Sequence, residues 1–161
     1  MRLGVISDTH GMLRPAVEEV FRGVDRIVHC GDVGSPHILD QLALLAPVSA
    51  AYGNTDGYDV RARSTKVVRL EDKGFVTIAM HGDQFGIPTA RILVDEFPDA
   101  DILLFGHTHK PLIEYPGGSV VVMNPGAAGA VRCRCRPSVG IIELGDGFPP
   151  VARIVPLDTP G

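Results

Sequence analysis

Short apolar segments rich in β-forming residues constrain the fold of this chain more than any other feature. Each is five to seven residues long, which is typical of strands and too short for most helices. Nine such segments are present: LGVIS, RIVHC, PVSAAY, KVVRL, FVTIAM, DILLF, SVVVMN, VGIIEL and VARIVPL. The pattern predicts at least nine strands.

Three amphipathic helical patterns lie between these segments. Their apolar residues recur at helical spacing, and the second pattern follows SPH, a typical helix start. The three sets are Leu13, Val17, Val20 and Phe21; Leu39, Leu42 and Leu45; and Ile92, Leu93 and Phe97. Strands and helices alternate early and strands dominate late, so we expect an α/β fold with two sheets packed face to face and helices outside.

A single domain spanning residues 1–161 is predicted. The length suffices for one sizeable core, and the sequence has neither an internal repeat nor a low-complexity linker. The most irregular stretch, NPGAAGAVRCRCRPSVG, is interpreted as a loop within that domain.

The composition narrows the functional classes. Hydrophobic residues make up 45% and charged residues 21%, and the net charge of −4 gives no overall attraction to nucleic acid or anionic membranes. No apolar run approaches the ~20 residues of a membrane span, and the N-terminus lacks a signal-peptide pattern. Three cysteines without a secreted disulfide pattern fit a reducing compartment. We therefore predict a cytoplasmic protein without membrane association or specific nucleic-acid binding.

Polar residues that can bind a metal follow five of the predicted strands. Four of the five groups have a glycine beside the polar residue, which lets the backbone approach closely. Ligands of open α/β sheets bind outside the carboxyl ends of strands. The groups are Asp8 with His10, Asp32 after Gly31, Asn54 after Gly53, His81 before Gly82, and His107 with His109 after Gly106.

Two of these groups have their polar residues at i and i+2. In an extended chain such residues point to the same side, with Cβ atoms about 6.5–7 Å apart. His107 and His109 would then aim together, and neutral imidazoles that converge suit a metal. An isolated HxH also fits a polar strand end with solvated histidines, and GD or GNxD alone fits an ordinary turn. All five groups together favour a shared metal site.

In this order, the motifs DxH, GD, GNxD, HGD and GHTH resemble those of the calcineurin-like metallophosphoesterases. They are most similar to the small, single-domain bacterial and archaeal phosphodiesterases of that superfamily. The resemblance extends from Asp8 to the NPG at residues 124–126. It implies a four-layer sandwich of two mixed β-sheets flanked by helices, with a two-metal site at the strand ends.

The resemblance also implies an assignment of ligands. One metal would be held by Asp8, His10, Asp32 and His109, and the other by Asp32, Asn54, His81 and His107, with Asp32 bridging. Imidazole, carboxylate and amide ligands without thiolate suit Mn, Fe, Co, Ni or Zn. Of these metals, we expect Mn²⁺ to be the one bound. The residues expected to take part directly in catalysis are Asp32, Asn54, His81 and His10.

The implied function is hydrolysis of phosphate esters by a metal-bridging hydroxide. The substrate would be a small-molecule phosphodiester or phosphomonoester, and the diester is favoured. The alternative is a non-catalytic protein-interaction scaffold of the same fold that retains the metal site, as in the retromer subunit of the superfamily. Homo-oligomerisation stays open.

One position departs from the pattern of many phosphatases in this superfamily. They read GNH followed by an acidic residue, and the histidine assists catalysis near the leaving group. Here Thr55 takes that place, and a threonine hydroxyl is too weak an acid to donate a proton near neutral pH. The gaps between motifs also leave no room for a cap domain, so an open site that admits diesters is expected.

Several residues outside the ligand set have more than one interpretation. His29 is expected to be packed or to support a ligand, and His37 to be solvated in a first helical turn. Asp56 and Asp83 fit either a supporting role behind the ligands or a plain turn. Arg132, Arg134 and Arg136 fit either a solvated basic hairpin or a contact with substrate phosphate. Cys133 and Cys135 could form an extra metal or redox site, but the CxC pattern alone is a weak signal for one.

Overall fold

The computed structural model of the chain describes residues 1–131 and 135–157. In these residues ten strands are present: β1 Arg2–Ile6, β2 Arg26–Cys30, β3 Val48–Ala51, β4 Val67–Asp72, β5 Phe75–Met80, β6 Ile102–Leu104, β7 Leu112–Glu114, β8 Val121–Asn124, β9 Ser138–Glu143 and β10 Val151–Pro156. The α-helices are α1 Pro15–Val20, α2 Pro36–Ala43, α3 Tyr58–Arg61 and α4 Ala90–Glu96. Short 3₁₀ turns span Asp83–Phe85 and Pro116–Gly118.

The strands form two five-stranded mixed sheets. The first sheet has the order β10-β9-β1-β2-β3, and the second has the order β4-β5-β6-β8-β7. In the first, β1, β2 and β3 are parallel; in the second, β5, β6 and β8 are parallel. Antiparallel strands complete each sheet. Each sheet therefore has a parallel centre whose strands end on the same side.

Three layers of apolar side chains hold the sandwich together. The central layer fills the space between the sheets and includes Val5, Val28 and Ile102. One outer layer packs α1 and α2 on the first sheet, and the other packs α4 on the second. Burial of apolar area on both faces of each sheet is the main stabilising contribution. The predicted arrangement of two mixed sheets flanked by helices is confirmed.

All nine predicted strands are present, and the structure adds two short elements. The additional strand β7 has three residues at the edge of the second sheet, too few to give a periodic signal. The additional helix α3 is a single turn of four residues. Leu13 and Leu45 pack against the outer core, but Leu13 precedes α1 and Leu45 lies beyond the end of α2, so their assignment to those helices was wrong.

Side-chain caps explain where two helices begin. The Ser35 side chain accepts a hydrogen bond from the backbone N–H of His37 at 3.3 Å, which confirms the SPH start of α2. Thr89 accepts in the same way from Ile92 at 3.3 Å at the start of α4. Within the described residues, none of the helices has the length and apolar character needed to span a bilayer.

Hydrogen bonds between the two sheets bring the ends of their parallel strands together. The Nδ1 atom of His81, which follows β5, lies 2.9 Å from the carbonyl oxygen of Cys30 at the end of β2. Within the second sheet, the N–H of Gly106 donates to the His81 carbonyl at 3.1 Å. The turns that carry the candidate ligands therefore meet at one edge of the sandwich, as predicted for strand ends.

Candidate metal centre

Asp8 lies at the bottom of this edge and is fully buried. Its Oδ2 atom accepts a hydrogen bond from the Ser7 hydroxyl at 2.6 Å. Among the described residues, its Oδ1 atom has no hydrogen-bond partner, and it lies 3.1 Å from Nε2 of His109. A buried carboxylate oxygen without a partner is costly, so Oδ1 is suited to bind a cation.

The two oxygens of Asp32 have different surroundings. Oδ1 accepts a hydrogen bond from the backbone N–H of Thr55 at 3.0 Å. Oδ2 lies 3.3 Å from Nε2 of His81 and 3.8 Å from Nε2 of His10. One oxygen is thus fixed by the backbone, while the other lies between two imidazoles.

His81 is held in one tautomer by the backbone. Because the Cys30 carbonyl can only accept, Nδ1 carries the hydrogen and donates it at 2.9 Å. In the neutral ring, Nε2 then presents a lone pair towards Oδ2 of Asp32, which lies 3.3 Å away. An arrangement of lone pair against carboxylate is stabilised by a cation between them.

The electrostatics of Asp32 and His81 favour positive charge. Burial alone raises the pKa of Asp32, but His81 and Thr55 outweigh it and hold that pKa well below its usual range. Burial opposes the charged form of His81, yet Asp32, Asp8 and the Cys30 carbonyl raise its pKa above the ordinary value. The surroundings that stabilise a proton on the imidazole also stabilise a metal ion, with which the proton competes.

Two groups of side chains have the proximity needed to hold a metal. Asp8, His10 and His109 form one group, and Asp8, Asp32 and His81 form the other; within each group the ligand atoms lie within 4.8 Å of one another. The mixture of imidazole and carboxylate fits a divalent transition metal. Cys30 is buried in the core between the sheets, where burial raises the pKa of its thiol, so it remains apart from this ligand set.

The remaining two sequence-predicted ligands lie beside these groups. The ring of His107 packs edge to face on His81, with centroids 5.1 Å apart, and His109 packs similarly on His10 at 5.5 Å. Asn54 is exposed in the turn after β3, next to Thr55. Five predicted ligands are thus in the two groups, while His107 and Asn54 border them.

The backbone at the candidate ligands is left-handed rather than extended. Among the described residues, six non-glycine residues have positive φ, and five of these are Asp8 (55°), His10 (47°), Asp32 (52°), His107 (64°) and His109 (58°). Such a conformation costs non-glycine residues about 1–2 kcal/mol each and collects at functional sites. The extended geometry predicted for both i, i+2 pairs was therefore wrong, and the strained turns point His107 and His109 at different partners.

Two glycines permit the close packing of these turns. A Cβ atom on Gly53 would collide with the Asp32 carboxylate. One on Gly106 would collide with Ser7 and lie 2.8 Å from Oδ2 of Asp8. The sequence interpretation that glycines allow close approach at the strand ends holds at these positions.

Asp56 ties two of the ligand-bearing turns together. Its buried carboxylate accepts hydrogen bonds from the N–H groups of Val33 at 3.2 Å, Gly34 at 2.8 Å and Gly53 at 2.8 Å. It therefore acts on the backbone beside Asp32 and Asn54 rather than on a ligand side chain. The supporting role is favoured over that of a plain turn residue.

His29 has an equivalent role between β2 and the turn after β1. The N–H of Gly31 donates to Nδ1 at 3.2 Å, so Nε2 carries the hydrogen and donates to the Thr9 hydroxyl at 3.0 Å. That hydroxyl donates in turn to the Val33 carbonyl at 2.9 Å. Complete burial lowers the pKa of His29 to about 4, so the ring is neutral at pH 7. The prediction of a packed histidine is confirmed.

Asn124 is a structural residue whose role the sequence did not reveal. This buried side chain donates through Nδ2 to the Gly106 carbonyl at 2.7 Å and to the Thr108 hydroxyl at 3.0 Å. Its Oδ1 accepts from the Gly126 N–H at 2.9 Å. Asn124 thus fixes the turn that carries His107, and its place at the end of a strand, before Pro125, was the available signal.

Among the described residues, the others considered from sequence belong to neither metal-binding group. His37 is exposed in the first turn of α2, as predicted. Asp83 pairs with the Lys66 ammonium at 2.6 Å. Arg136 is exposed and Cys135 is a half-buried free thiol, whereas the predictions for Arg132, Cys133 and Arg134 fall outside the described residues.

The sequence and the fold agree with those of known proteins. Residues 1–147 match the family model of the calcineurin-like phosphoesterase superfamily domain. A probable metallophosphoesterase of Methanothermobacter thermautotrophicus is 35% identical over 169 residues, covering 99% of this chain and 95% of the relative.

Solved structures share the two-sheet architecture at lower sequence identity. Wild-type Vps29 from Entamoeba histolytica, complexed with Zn²⁺, aligns with a TM-score of 0.77 at 24% identity, over 98% of this chain and 100% of that one. An archaeal phosphodiesterase aligns with a TM-score of 0.74 at 24% identity, over 96% and 100% respectively. Since the fold, the ordered ligand motifs and the family match all agree, this chain belongs to the calcineurin-like phosphoesterase superfamily.

Proposed function

We propose that this protein is a dinuclear metal-dependent phosphodiesterase that hydrolyses small-molecule phosphodiesters. The observation that carries the proposal is the position of Asp32: its Oδ2 lies 3.8 Å from His10 and 3.3 Å from His81, one imidazole of each implied ligand set. A single carboxylate oxygen between two imidazoles is suited to join two ions. Asp8 belongs to both groups of metal-binding side chains, but the imidazoles nearest its Oδ1, His109 at 3.1 Å and His10 at 3.9 Å, belong to the same implied ligand set.

The remaining predicted ligands would complete the coordination of each of the two ions. Asp8, His10 and His109 would hold one ion together with Asp32, and His81, His107 and Asn54 would hold the other. Mn²⁺ is the metal proposed, since hard oxygen ligands and imidazoles surround the site without thiolate. Divalent ions bound here would lower the pKa of a bound water and polarise the phosphoryl oxygens.

The protein itself orients these ligands and sets the charge of the site. The Cys30 carbonyl fixes the His81 tautomer, and the Thr55 N–H holds one oxygen of Asp32. Two divalent ions and the two carboxylates of Asp8 and Asp32 leave about two positive charges. This excess attracts an anionic phosphoester and stabilises the charge that develops in the transition state.

The preference for diesters is inferred from the open side of the site. Asn54 and Thr55 are exposed, so a second ester group can extend into solvent. Thr55 cannot protonate a poor leaving group at neutral pH, which favours substrates with stable leaving groups. Aryl diesters are therefore suitable test substrates.

Hydrolysis of bis(p-nitrophenyl) phosphate by metal-stripped protein reloaded with Mn²⁺ tests the proposal. We expect turnover that chelation abolishes and Mn²⁺ restores, with lower rates on p-nitrophenyl phosphate. The scaffold alternative shares the metal site, so metal binding does not separate the two. Binding of Mn²⁺ without turnover of any ester in a panel of nucleotide, lipid and aryl diesters would reject the enzyme and leave the scaffold.

A further inference from the structure

An apolar recess adjoins the second half of the metal centre. It has a volume of about 620 Å³ and opens beside His107. Its lining comes from the segment after β5 and from the chain between the end of β6 and the start of β7, and its apolar residues include Ile87, Pro88, Phe105, Pro111 and Leu112. Because His107 is a proposed ligand, the recess borders the proposed metal site.

The wall formed by Pro88 is anchored at His81. Gly82 follows His81 with φ of 99°, and a Cβ atom there would lie 3.0 Å from Cγ of Pro88. The proline ring therefore packs directly on the turn after a ligand. This contact fixes one side of the recess relative to the metal site.

The opposite wall is anchored by Asn124. Its side chain binds both the Gly106 carbonyl and the Thr108 hydroxyl, on either side of His107. Phe105 is 1% exposed and closes the bottom of the recess within the core beneath α4. Both walls are thus braced by buried contacts, which favours a preformed binding site.

The chemistry of the lining selects an apolar group. Ile87 is 76% exposed, an unusual state for isoleucine, and the two prolines and Leu112 add further apolar surface. Among the described residues, the lining has three polar side chains: Thr108, whose hydroxyl accepts a hydrogen bond from Asn124, Lys110 and the proposed ligand His107. The recess therefore offers few groups that could read a nucleobase edge. Lys110 is exposed at the margin and supplies positive charge for a phosphodiester anion.

We propose that this recess binds one apolar ester group of the substrate while the phosphate lies at the metal centre. The substrate class is therefore a phosphodiester with an aryl or branched alkyl group, rather than a nucleotide. This inference rests on the proposed function, because it places the phosphate beside His107.

Esters that share a leaving group isolate the effect of the retained group. We expect p-nitrophenyl phenyl phosphate to exceed p-nitrophenyl methyl phosphate in kcat/KM by about tenfold, the gain from burying roughly 55 Å² of apolar ring. Ile87→Ser should reduce this ratio about threefold or more. The matched control is Leu44→Ser, since Leu44 is 86% exposed after α2 and should leave the ratio at the wild-type value. Turnover with equal rates for both esters, or a ratio that Ile87→Ser does not change, would overturn the recess assignment while the proposed function stands.

A thymidine ester with the same leaving group tests the class of substrate. We expect its kcat/KM to fall below that of the phenyl ester. A preference for thymidine 5′-(p-nitrophenyl) phosphate would overturn the assignment to an apolar group and indicate nucleotide recognition.

Binding provides a readout that does not require turnover. Calorimetry with Mn²⁺-loaded protein should give about tenfold tighter binding of phenylphosphonate than of methylphosphonate, and Ile87→Ser should narrow the difference. Equal affinities would reject the recess. Selective phosphonate binding together with absence of hydrolysis would instead reject only the enzymatic proposal.

Discussion

The buried and exposed parts of the metal centre differ in how they are held. The floor, defined as Asp8, Asp32 and His81, is at most 3% exposed, and each side chain has one polar atom fixed by a hydrogen bond and another facing the site. The rim, defined as Asn54, Thr55 and His107, is exposed or half-buried. We infer that the floor determines metal binding and the rim determines which ester is accepted.

Of the substitutions that compare floor and rim, Asp32→Ala should have the largest effect on metal content and activity. One carboxylate is proposed to serve both ions, so we expect metal content to fall well below two per chain and activity to fall by about 10³-fold or more. Elemental analysis after Mn²⁺ loading and the diester assay measure both effects. Asp83→Ala is the control, because its carboxylate lies in a neighbouring motif but pairs with Lys66. A mutant at Asp32 that still binds two ions and remains active would remove it from the bridging role.

Alanine substitutions of single histidines distinguish the contribution of the floor to activity from that of the rim. We expect His81→Ala to reduce activity at saturating Mn²⁺ by about 10²-fold or more, and His107→Ala by less, because His107 is the more exposed of the two. His37→Ala, on the surface of α2, should leave the rate unchanged. Equal losses at all three positions would show that the ligand assignment is wrong.

His29 beneath the floor should make the stability of the metal-free protein depend on pH. Its pKa falls from 6.5 to about 4 on folding, so between these values the unfolded chain binds a proton that the folded chain does not. Above pH 6.5 the ring is neutral in both states and the free energy of unfolding is unaffected. As pH falls from 6.5 towards 4, protonation of the unfolded chain lowers the free energy of unfolding by about 3 kcal/mol. Urea unfolding in the presence of chelator at pH 7 and pH 4.5 measures it. In His29→Gln this part of the pH dependence should disappear; an unchanged slope would assign it to other groups.

Thr55→His should have the smallest effect and should change the rim alone. In the wild type, rates on a series of phosphodiesters should fall steeply as leaving-group pKa rises, because Thr55 supplies no proton. A histidine that reaches the leaving oxygen should flatten this slope and raise relative activity on alkyl esters by up to about 10²-fold. Metal content should not change, since the Thr55 contact to Asp32 is made by the backbone N–H. A flat slope in the wild type would mean that another group, with His10 the first to test, already donates the proton.

The strands were predictable because their signal is local. Apolar runs such as FVTIAM and VGIIEL reveal β5 and β9 without reference to the rest of the chain. Three-residue β7 was missed because its pairing with β8 depends on a distant partner rather than on its own periodicity. The role of Asn124 was missed for a similar reason, since the carbonyl it binds is 18 residues away.

The sequence by itself determined which metal-binding groups are available and that they follow successive strands. Local chain geometry did not determine which of them meet, although the resemblance of the motifs implied two ligand sets that separate His107 from His109. His107 and His109 appeared to share a target when treated as extended chain, whereas tertiary structure places His107 against His81 and His109 against Asp8 and His10. The physical reason is that left-handed turns are locally unfavourable for these residues, so they persist only where long-range contacts hold them. Examples are the hydrogen bonds of Asn124 on either side of His107 and the hydrogen bond from His81, after β5, to the Cys30 carbonyl at the end of β2.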